Sequence, residues 1–342
     1  MKHLNNTLYI LTEGTYLTLD NTNVVAKLGN EVIGRVPLHN LEQIVYFGFS
    51  GVSPALMGAC AESGIGLSIY SPFGKFQARV IGKMQGNVLL RRQQYRIADS
   101  EADSCRYAKN FIAAKIYNAR SLLGHMWRDH NLVMSPEVSV SIDELMPLCR
   151  RCRTALTVDE LRGYEGAAAS LYFSVFDEMI LRDKGTFSFQ NRNRRPPLDP
   201  VNAMLSFIYT LLANDCAAAL EGVGLDSYVG FLHRDRPGRC SMALDLMEEL
   251  RAVYADRFVL TLINNRIVKK ESFMVQEDGA ILLKNEPRKE ILRQWQQRKK
   301  DIINHPFLSE KLYWGMVPHV QAQLLARTIR GDLEEYPAFL WK

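Results

Sequence analysis

The feature that most constrains the fold is a change in sequence pattern near Gly86. Before it, short alternating apolar runs such as Thr7–Leu11 are separated by turn residues. After it, apolar residues recur at helical spacing, and the longest such stretch is Asp103–Arg128. Strands followed by helices indicate an α+β fold. We therefore predict an N-terminal β-rich domain at 1–85 and a larger, all-helical C-terminal domain at 86–342.

Composition sets wide limits on the class of protein. With 342 residues and 47% hydrophobic content the chain can build two sizeable cores, and its net charge of +5 is too small to identify a partner. No apolar run approaches the roughly 20 residues that span a bilayer, and the start lacks a signal-peptide core, so no membrane association is expected. Six scattered cysteines, including a lone CxxC at Cys149 and Cys152 that we interpret as incidental, are typical of a cytoplasmic protein with reduced thiols.

The segment Gly230–Tyr254 carries the residues with the clearest chemical potential. Its loop contains His233, and the helix that follows has one apolar face, with Asp245, Glu248 and Glu249 on the opposite face. A neutral imidazole together with carboxylates is a ligand set for a divalent metal ion. The alternative is a solvated acidic face opposite a core face, which is the commoner arrangement in helices.

A second segment, upstream of the first, favours the metal interpretation. Thr157 and Glu160 form a capping box that predicts the start of a helix, and Glu165 follows among Gly163, Gly166 and three alanines. Glycine destabilises a helix interior by roughly 1 kcal/mol, so these small residues favour a close approach to Glu165 by another helix, a metal or a phosphate backbone. Tight helix packing with Glu165 at its rim is the alternative.

Two arginine-rich loops accompany these acids. The loop at 184–200 has no apolar period, and the loop at 230–240 leads into the acidic helix. Guanidinium groups contact phosphates in a bidentate manner and neutralise the charge of a DNA backbone. A basic helix expected at 286–304 is equally consistent with a solvated face and with a DNA contact. The candidate DNA-binding residues of the two loops are Arg192, Arg194, Arg195, Arg234, Arg236 and Arg239.

These segments together resemble the CRISPR-associated integrase-endonuclease of spacer acquisition (CRISPR-associated protein one), and the resemblance runs from end to end. It rests on YEGAA at 164–168, NRNRRPPLDPVNAMLSF at 191–207 and HRDRPGRCSMALDLMEELR at 233–251. The sequence LLRRQQYR at 89–96 and the end EEYPAFLWK look most like subtype I-C of this family.

The resemblance implies a metal-dependent active site with four catalytic residues. Carried over from the family motifs, the metal ligands are Glu165, His233 and Glu248, and Asp245 is the neighbouring active-site acid. Many relatives have Asp where this chain has Glu248, which keeps the ligand oxygen and adds a methylene group. A site with one histidine and two carboxylates accepts Mg²⁺ and holds Mn²⁺ more tightly, so Mg²⁺ or Mn²⁺ is the expected cofactor.

The implied function is insertion of short foreign DNA fragments into a CRISPR array. The 3′-hydroxyl of a double-stranded spacer precursor would attack phosphodiesters of the leader–repeat DNA. The alternatives are a metal-dependent nuclease that hydrolyses branched DNA and a DNA-binding assembly scaffold without catalysis. The family also implies a homodimer, two copies of which flank a dimer of the second CRISPR adaptation protein. An end-trimming iron–sulfur nuclease is a further partner that the subtype suggests and the sequence leaves open.

Overall fold

The computed structural model describes residues 7–41, 43–71, 76–80, 88–130, 133–194 and 196–341. The described chain divides into two compact units. The first consists of the residues up to Val80 together with Leu283–Asp301 and Tyr313–Met316, and the second contains the rest. The boundary predicted at 85/86 falls between Val80 and Val88, outside the described residues.

The first unit is built mainly from β-strands. Its four-stranded sheet has the order β1-β5-β6-β7, in which β1 and β6 run parallel to β5 while β7 is antiparallel to β6. The second sheet is the antiparallel meander β2-β3-β4. Leu17, Ile44 and Leu56 are fully buried in the core of this unit. The elements described before residue 81 are β1 (Thr7–Ile10), β2 (Thr15–Asp20), β3 (Asn23–Leu28), β4 (Glu31–Pro37), β5 (Gln43–Phe47), α1 (Pro54–Ser63), β6 (Gly66–Tyr70) and β7 (Phe76–Val80).

The chain after residue 87 is mainly helical. Helix α9 belongs to the first unit, and the other helices of this part belong to the second. The helices are α2 (Val88–Asp99), α3 (Glu101–His130), α4 (Pro136–Thr154), α5 (Val158–Ser174), α6 (Pro200–Gly222), α7 (Ser241–Glu248), α8 (Arg257–Asn264), α9 (Asn285–Lys299) and α10 (Val317–Arg330).

The expectation that everything after residue 86 is helical is wrong. Two short two-stranded sheets lie in this part, β8 (Phe273–Val275) with β9 (Ile281–Leu283) and β10 (Ile302–Asn304) with β11 (Lys311–Tyr313). Gly279 between two apolar runs suggests a small hairpin from the sequence, and the first of these sheets is that hairpin. Gly279 has the positive φ of 82° that its tight turn needs. The second was missed because strands of three residues leave too short an alternation to detect.

Capping residues place the start of the helices that carry the site. Thr157 accepts a hydrogen bond from the Glu160 N–H at the start of α5, and Asp199 accepts one from the Asn202 N–H at the start of α6. The sequence predicts both caps, the first from the Thr157 capping box and the second from Asp199 followed by Pro200, and both are confirmed. Helix α6 is long and apolar enough to cross a membrane by length and composition, although 61% of its most apolar window is buried inside the protein.

The pattern of the Gly230–Tyr254 segment predicts one helix, capped by Ser241 and running to Tyr254, but this helix is interrupted. Helix α7 ends at Glu248, and a π-helical turn over Arg251–Asp256 connects it to α8. Ser241 does not cap α7: Cys240 holds the cap position, and the Ser241 hydroxyl donates to the Arg234 carbonyl over 3.2 Å. Single π-turns inside helical segments are frequent at functional sites, because the extra residue changes the direction of the side chains that follow.

Candidate active site

Lys115 contacts the two carboxylates that are predicted to bind a metal, Glu165 and Glu248. It projects from α3, and its ammonium group donates hydrogen bonds to Glu165 on α5 and to Glu248 on α7, the latter over 2.7 Å. The side chains of Lys115, Glu165 and Glu248 are 13%, 30% and 4% exposed. The carboxylates are 83 positions apart in the sequence, yet each bonds the same nitrogen atom. The cluster therefore opens to solvent mainly on the Glu165 side.

Asp245 holds the histidine loop in place. Its Oδ2 accepts the backbone N–H groups of Phe231 and Leu232 at 2.6 and 2.9 Å. Its Oδ1 lies 3.0 Å from the His233 backbone nitrogen and 2.6 Å from His233 Nδ1. Because Asp245 is fully buried and both oxygens are occupied, it orients the ring rather than facing a ligand. A neutral His233 with its proton on Nδ1 presents the lone pair of Nε2.

The loop can bend back onto α7 because residue 230 is glycine. A Cβ at Gly230 would lie 2.8 Å from both the His233 carbonyl oxygen and the Ser241 Cβ. Neither of those atoms can move without displacing the backbone. A side chain at this position would therefore push apart the loop that carries His233 and the helix that carries Asp245.

Two cationic side chains contact Glu248 and lower its pKa. Its two oxygens both accept from Arg251 Nη1 at 3.0 Å, and Arg251 stacks on the Tyr209 ring at 4.4 Å. Burial by itself raises the pKa of Glu248, but the positive charges of Arg251 and Lys115, together with His233, outweigh burial and lower this pKa to about 2. Glu248 is therefore ionised at any physiological pH.

A buried aspartate, Asp256, interacts electrostatically with Arg251. Asp256 accepts hydrogen bonds from the hydroxyls of Tyr172 at 3.0 Å and Tyr209 at 2.5 Å. Burial raises the pKa of Asp256 to about 6, although the tyrosine hydroxyls and Arg251 act in the opposite direction. Lys115, Arg251 and Asp256 were not identified from the sequence. Their only sequence signal is a charged residue within an apolar helical stretch, which favours burial with a partner.

The acids of α7 and the residue after it do not form a solvated face. Asp245, Glu248 and Glu249 are all buried, at 0%, 3% and 0% exposure. Glu249 points away from the cluster and accepts hydrogen bonds from Gln321, the Tyr336 hydroxyl and the Phe339 N–H. Burial raises its pKa to about 7 against the effect of these donors. Only two of the three acids therefore belong to the candidate site.

The glycines beside Glu165 are not used for helix packing. Gly163 and Gly166 are exposed, and a Cβ at either would meet no atom of the described chain within 4 Å. The tight-packing interpretation is therefore wrong for these two glycines, although Ala168 is buried. Because there is no bulk on this face of α5, a large ligand can reach Glu165.

Among the described residues, no three His, Cys, Asp or Glu side chains are grouped closely enough to hold a metal ion as they stand. The donor set of Glu165, Glu248 and His233 nevertheless fits a divalent cation. A cationic group, the Lys115 ammonium, already lies within hydrogen-bond distance of both carboxylates. His233 Nδ1 is held by Asp245, which lies three positions before Glu248 on the same helix, and many metal-binding histidines are oriented by a carboxylate in this way.

The predicted DNA-binding arginines have different surroundings. Arg194, Arg234 and Arg236 are exposed, while Arg239 is half-buried and its pKa is lowered by burial and by Arg236. Arg192 is used within the protein: it donates to Asn202 and Ser206 and stacks on Tyr209. Arg195 lies outside the described residues.

A cavity of about 510 Å³ lies beside His233. Its walls come from α2, α3, α5 and the loop at 229–235, and they include Tyr95, Glu101, Arg162 and Arg234. Arg162 also donates to the Leu232 carbonyl at 2.7 Å, so the cavity and the histidine loop share a wall. The candidate site is thus open to a ligand from the His233 side as well as from the Glu165 side.

Fold and site together define a two-unit α+β protein whose helical unit carries a histidine–carboxylate centre. The family described as "CRISPR associated protein Cas1" matches residues 8–297. The CRISPR-associated endonuclease Cas1 2 of Rhodospirillum rubrum is 50% identical over the full length of both chains. The CRISPR-associated endonuclease Cas1 1 of Chlorobaculum tepidum is 44% identical over 100% of this chain and 99% of its own. The chain therefore belongs to the Cas1 family.

Solved structures agree with this fold. A casposase bound to its integration product superimposes with a TM-score of 0.83 at 22% identity, covering 97% of this chain and 94% of the casposase. A Cas6-RT-Cas1–Cas2 complex contains a chain that matches with a TM-score of 0.80 at 22% identity, over 100% of this chain and 36% of that one. A Cas4/Cas1 fusion of Geobacter sulfurreducens is 32% identical over 97% of this chain and 60% of the fusion.

Proposed function

We propose that this protein is a metal-dependent DNA endonuclease and integrase that joins short DNA fragments to a CRISPR array. The observation that carries the proposal is the meeting of Glu165 and Glu248 at one ammonium group near His233. The activity printed in the names of its relatives, CRISPR-associated endonuclease, agrees with it. So does the integration product bound by the casposase.

The roles of the residues follow from their contacts. A divalent metal, when bound, would polarise the scissile phosphate and stabilise the leaving 3′ oxygen. Glu165, Glu248 and His233 Nε2 would hold it, and Asp245 fixes the orientation of the imidazole. Arg251 keeps Glu248 ionised and in position. The attacking group is the 3′-hydroxyl of a bound DNA fragment, so no side-chain nucleophile is required.

The expected cofactor is Mg²⁺ or Mn²⁺. Carboxylate oxygens suit Mg²⁺, whereas an imidazole nitrogen suits transition-metal ions better, so Mn²⁺ should support activity at a lower concentration. Replacement of His233 by aspartate should narrow that difference, because it exchanges the nitrogen ligand for an oxygen.

A strand-transfer assay tests the proposed function against its alternatives. The purified protein, its second adaptation protein, a fragment with free 3′ ends and a leader–repeat duplex are incubated with Mg²⁺ or Mn²⁺. Covalently joined strands support an integrase, while free ends alone support a hydrolytic nuclease. Joining that is unchanged in a Glu165→Ala variant would show that the chain acts as a scaffold and that its metal site is dispensable.

The proposed assembly is a cytoplasmic homodimer that binds double-stranded DNA. Strands β1–β7 carry no residue of the candidate site and are the proposed two-fold interface. A dimer of the second adaptation protein is the proposed central partner, since one structural relative is a Cas1–Cas2 complex. An end-trimming Cas4-type nuclease is proposed as an additional partner on the basis of the Cas4/Cas1 fusion, and it accords with the proposed subtype I-C.

The exposed arginines should contact the DNA backbone without reading its sequence. We expect a variant with Arg194→Gln, Arg234→Gln and Arg236→Gln to bind every duplex more weakly. Each lost phosphate contact should reduce the slope of log affinity against log salt by about 0.9. The measurement is a salt titration of duplex binding by fluorescence anisotropy.

The matched control for this triple variant is Arg192→Gln. Because Arg192 bonds Asn202 and Ser206 inside the protein, its loss should lower the melting temperature and leave the salt slope unchanged. A salt slope of the triple variant equal to that of the parent would mean that these loops do not touch the DNA backbone.

A further inference from the structure

The position of Lys115 suggests a role beyond the metal-ligand set. Glu248 Oε2 already accepts from both Lys115 and Arg251, so this carboxylate has little capacity left for another cation. Glu165 is bonded to the same lysine nitrogen. The two carboxylates, Lys115 and Arg251 form a cluster without net formal charge. A divalent ion that joined this cluster unchanged would add two uncompensated positive charges at short range.

We propose that Lys115 is an internal counter-ion of the candidate metal site, one that holds Glu165 and Glu248 together and must leave them when a divalent cation binds. The inference rests on the proposed metal site. It assigns Lys115 as a positioning residue that sets the metal concentration the protein requires.

Lysine is suited to such a role and arginine is not. A lysine ammonium is a point charge on a flexible stem, so it can leave one geometry and take another. Arg251, which contacts the same carboxylate, is fixed on both oxygens of Glu248 and against Tyr209. Of the two cations at Glu248, Lys115 is therefore the one that can be displaced. Its release removes one charge while Arg251 keeps Glu248 in place.

The first test measures Mn²⁺ binding directly, without DNA and without turnover. Free Mn²⁺ is followed by electron paramagnetic resonance in the parent protein and in Lys115→Met, which keeps an apolar stem of similar length. We expect Lys115→Met to bind Mn²⁺ about tenfold more tightly or better, because a unit charge a few ångströms from the ion no longer competes with it. Lys109→Met on the same helix is the matched control and should bind like the parent.

The second readout is thermal unfolding of the same proteins. Without metal, Lys115→Met should melt several degrees below the parent, because two carboxylates lose their shared partner. Saturating Mn²⁺ should raise its melting temperature by more than it raises that of the parent. If the methionine variant does not fold, Lys115→Arg is used in its place. Because the arginine side chain is larger and always charged, this variant should bind Mn²⁺ more weakly than the parent.

The outcomes separate this inference from the proposed function. Tighter Mn²⁺ binding by Lys115→Met, together with lost binding by Glu165→Ala, supports the counter-ion role. Suppose that Mn²⁺ binding is lost in Glu165→Ala but that Lys115→Met binds Mn²⁺ no more tightly than the parent. This result overturns the counter-ion role and leaves the metal site intact. If Lys115→Met does not fold, Mn²⁺ binding by Lys115→Arg that is equal to or tighter than that of the parent has the same meaning. Parent binding that Glu165→Ala does not change overturns both the metal site and the role of Lys115.

Discussion

Replacement of Glu165, His233 or Glu248 by alanine is expected to lower strand joining by about a thousandfold. The reason is that each would remove one of the three side chains proposed to hold the metal, which would stabilise charge on the scissile phosphate. Such stabilisation is worth several kcal/mol, and about 1.4 kcal/mol corresponds to a factor of ten in rate. DNA affinity should stay within a few-fold, since phosphate contacts elsewhere supply most of it. The measurements are single-turnover joining and duplex binding of each variant.

Folding must be checked in these variants, because Glu248 is paired with Lys115 and Arg251. Removing it leaves two cationic groups in a largely buried place, so Glu248→Gln, which preserves volume, accompanies Glu248→Ala. Glu144→Ala, at an exposed acid of α4, is the matched control and should join DNA like the parent. If two of the three alanine variants kept near-normal joining while folded, the ligand assignment would be wrong.

Much of the site was accessible from the sequence because its acids stand in distinctive local settings. Glu165 follows a capping box and is flanked by small residues, and His233 is followed by a loop and a helix that carries Asp245 after about one turn and Glu248 after about two. The structure brings Glu165 and Glu248 to one point, as a shared metal requires. The oxygens of Asp245, by contrast, are used by N–H groups of the histidine loop.

The residues that support these acids could not be predicted in the same way. Lys115 lies in the middle of a 30-residue helix whose apolar periodicity dominates its pattern. Arg251 and Asp256 lie in the π-helical turn, where the ordinary helical spacing assigns residues to the wrong face. Partners separated by more than 40 positions, such as Asp256 and Tyr209, are set by packing rather than by local sequence.

In the fold, too, the elements marked by nearby residues could be predicted, and those that depend on distant residues could not. The strands of the first unit and the starts of α1, α5 and α6 have turn and cap residues that act within four positions. Three-residue strands such as β10 and β11 carry no such signal. Helix α9 is grouped with the first unit although it lies more than 200 positions after the last strand of that unit, so its place there could not be inferred from periodicity.

Asp245→Asn is expected to reduce joining by about 10- to 100-fold, as is usual for residues that orient a metal-binding histidine. The carboxylate accepts four N–H groups, three from the backbone and one from the His233 ring. An amide has only one oxygen, and its NH₂ group, which is itself a donor, would face N–H donors with which it cannot form a hydrogen bond. The variant should therefore lose the fixed orientation of His233 and be less stable by about 3 kcal/mol. Chemical denaturation and single-turnover joining measure the two effects.

A double variant shows whether Asp245 acts through His233. If Asp245 only orients the ring, His233→Ala combined with Asp245→Asn should join DNA no more slowly than His233→Ala alone, since the ring to be oriented is gone. A further tenfold loss in the double variant would mean that Asp245 contacts the metal or the DNA itself. Glu249→Gln is the matched control: it replaces a buried carboxyl group four positions along the chain, whose partners are Gln321, Tyr336 and Phe339. That substitution should change stability while leaving joining within a few-fold, because its hydrogen bonds do not reach the histidine loop.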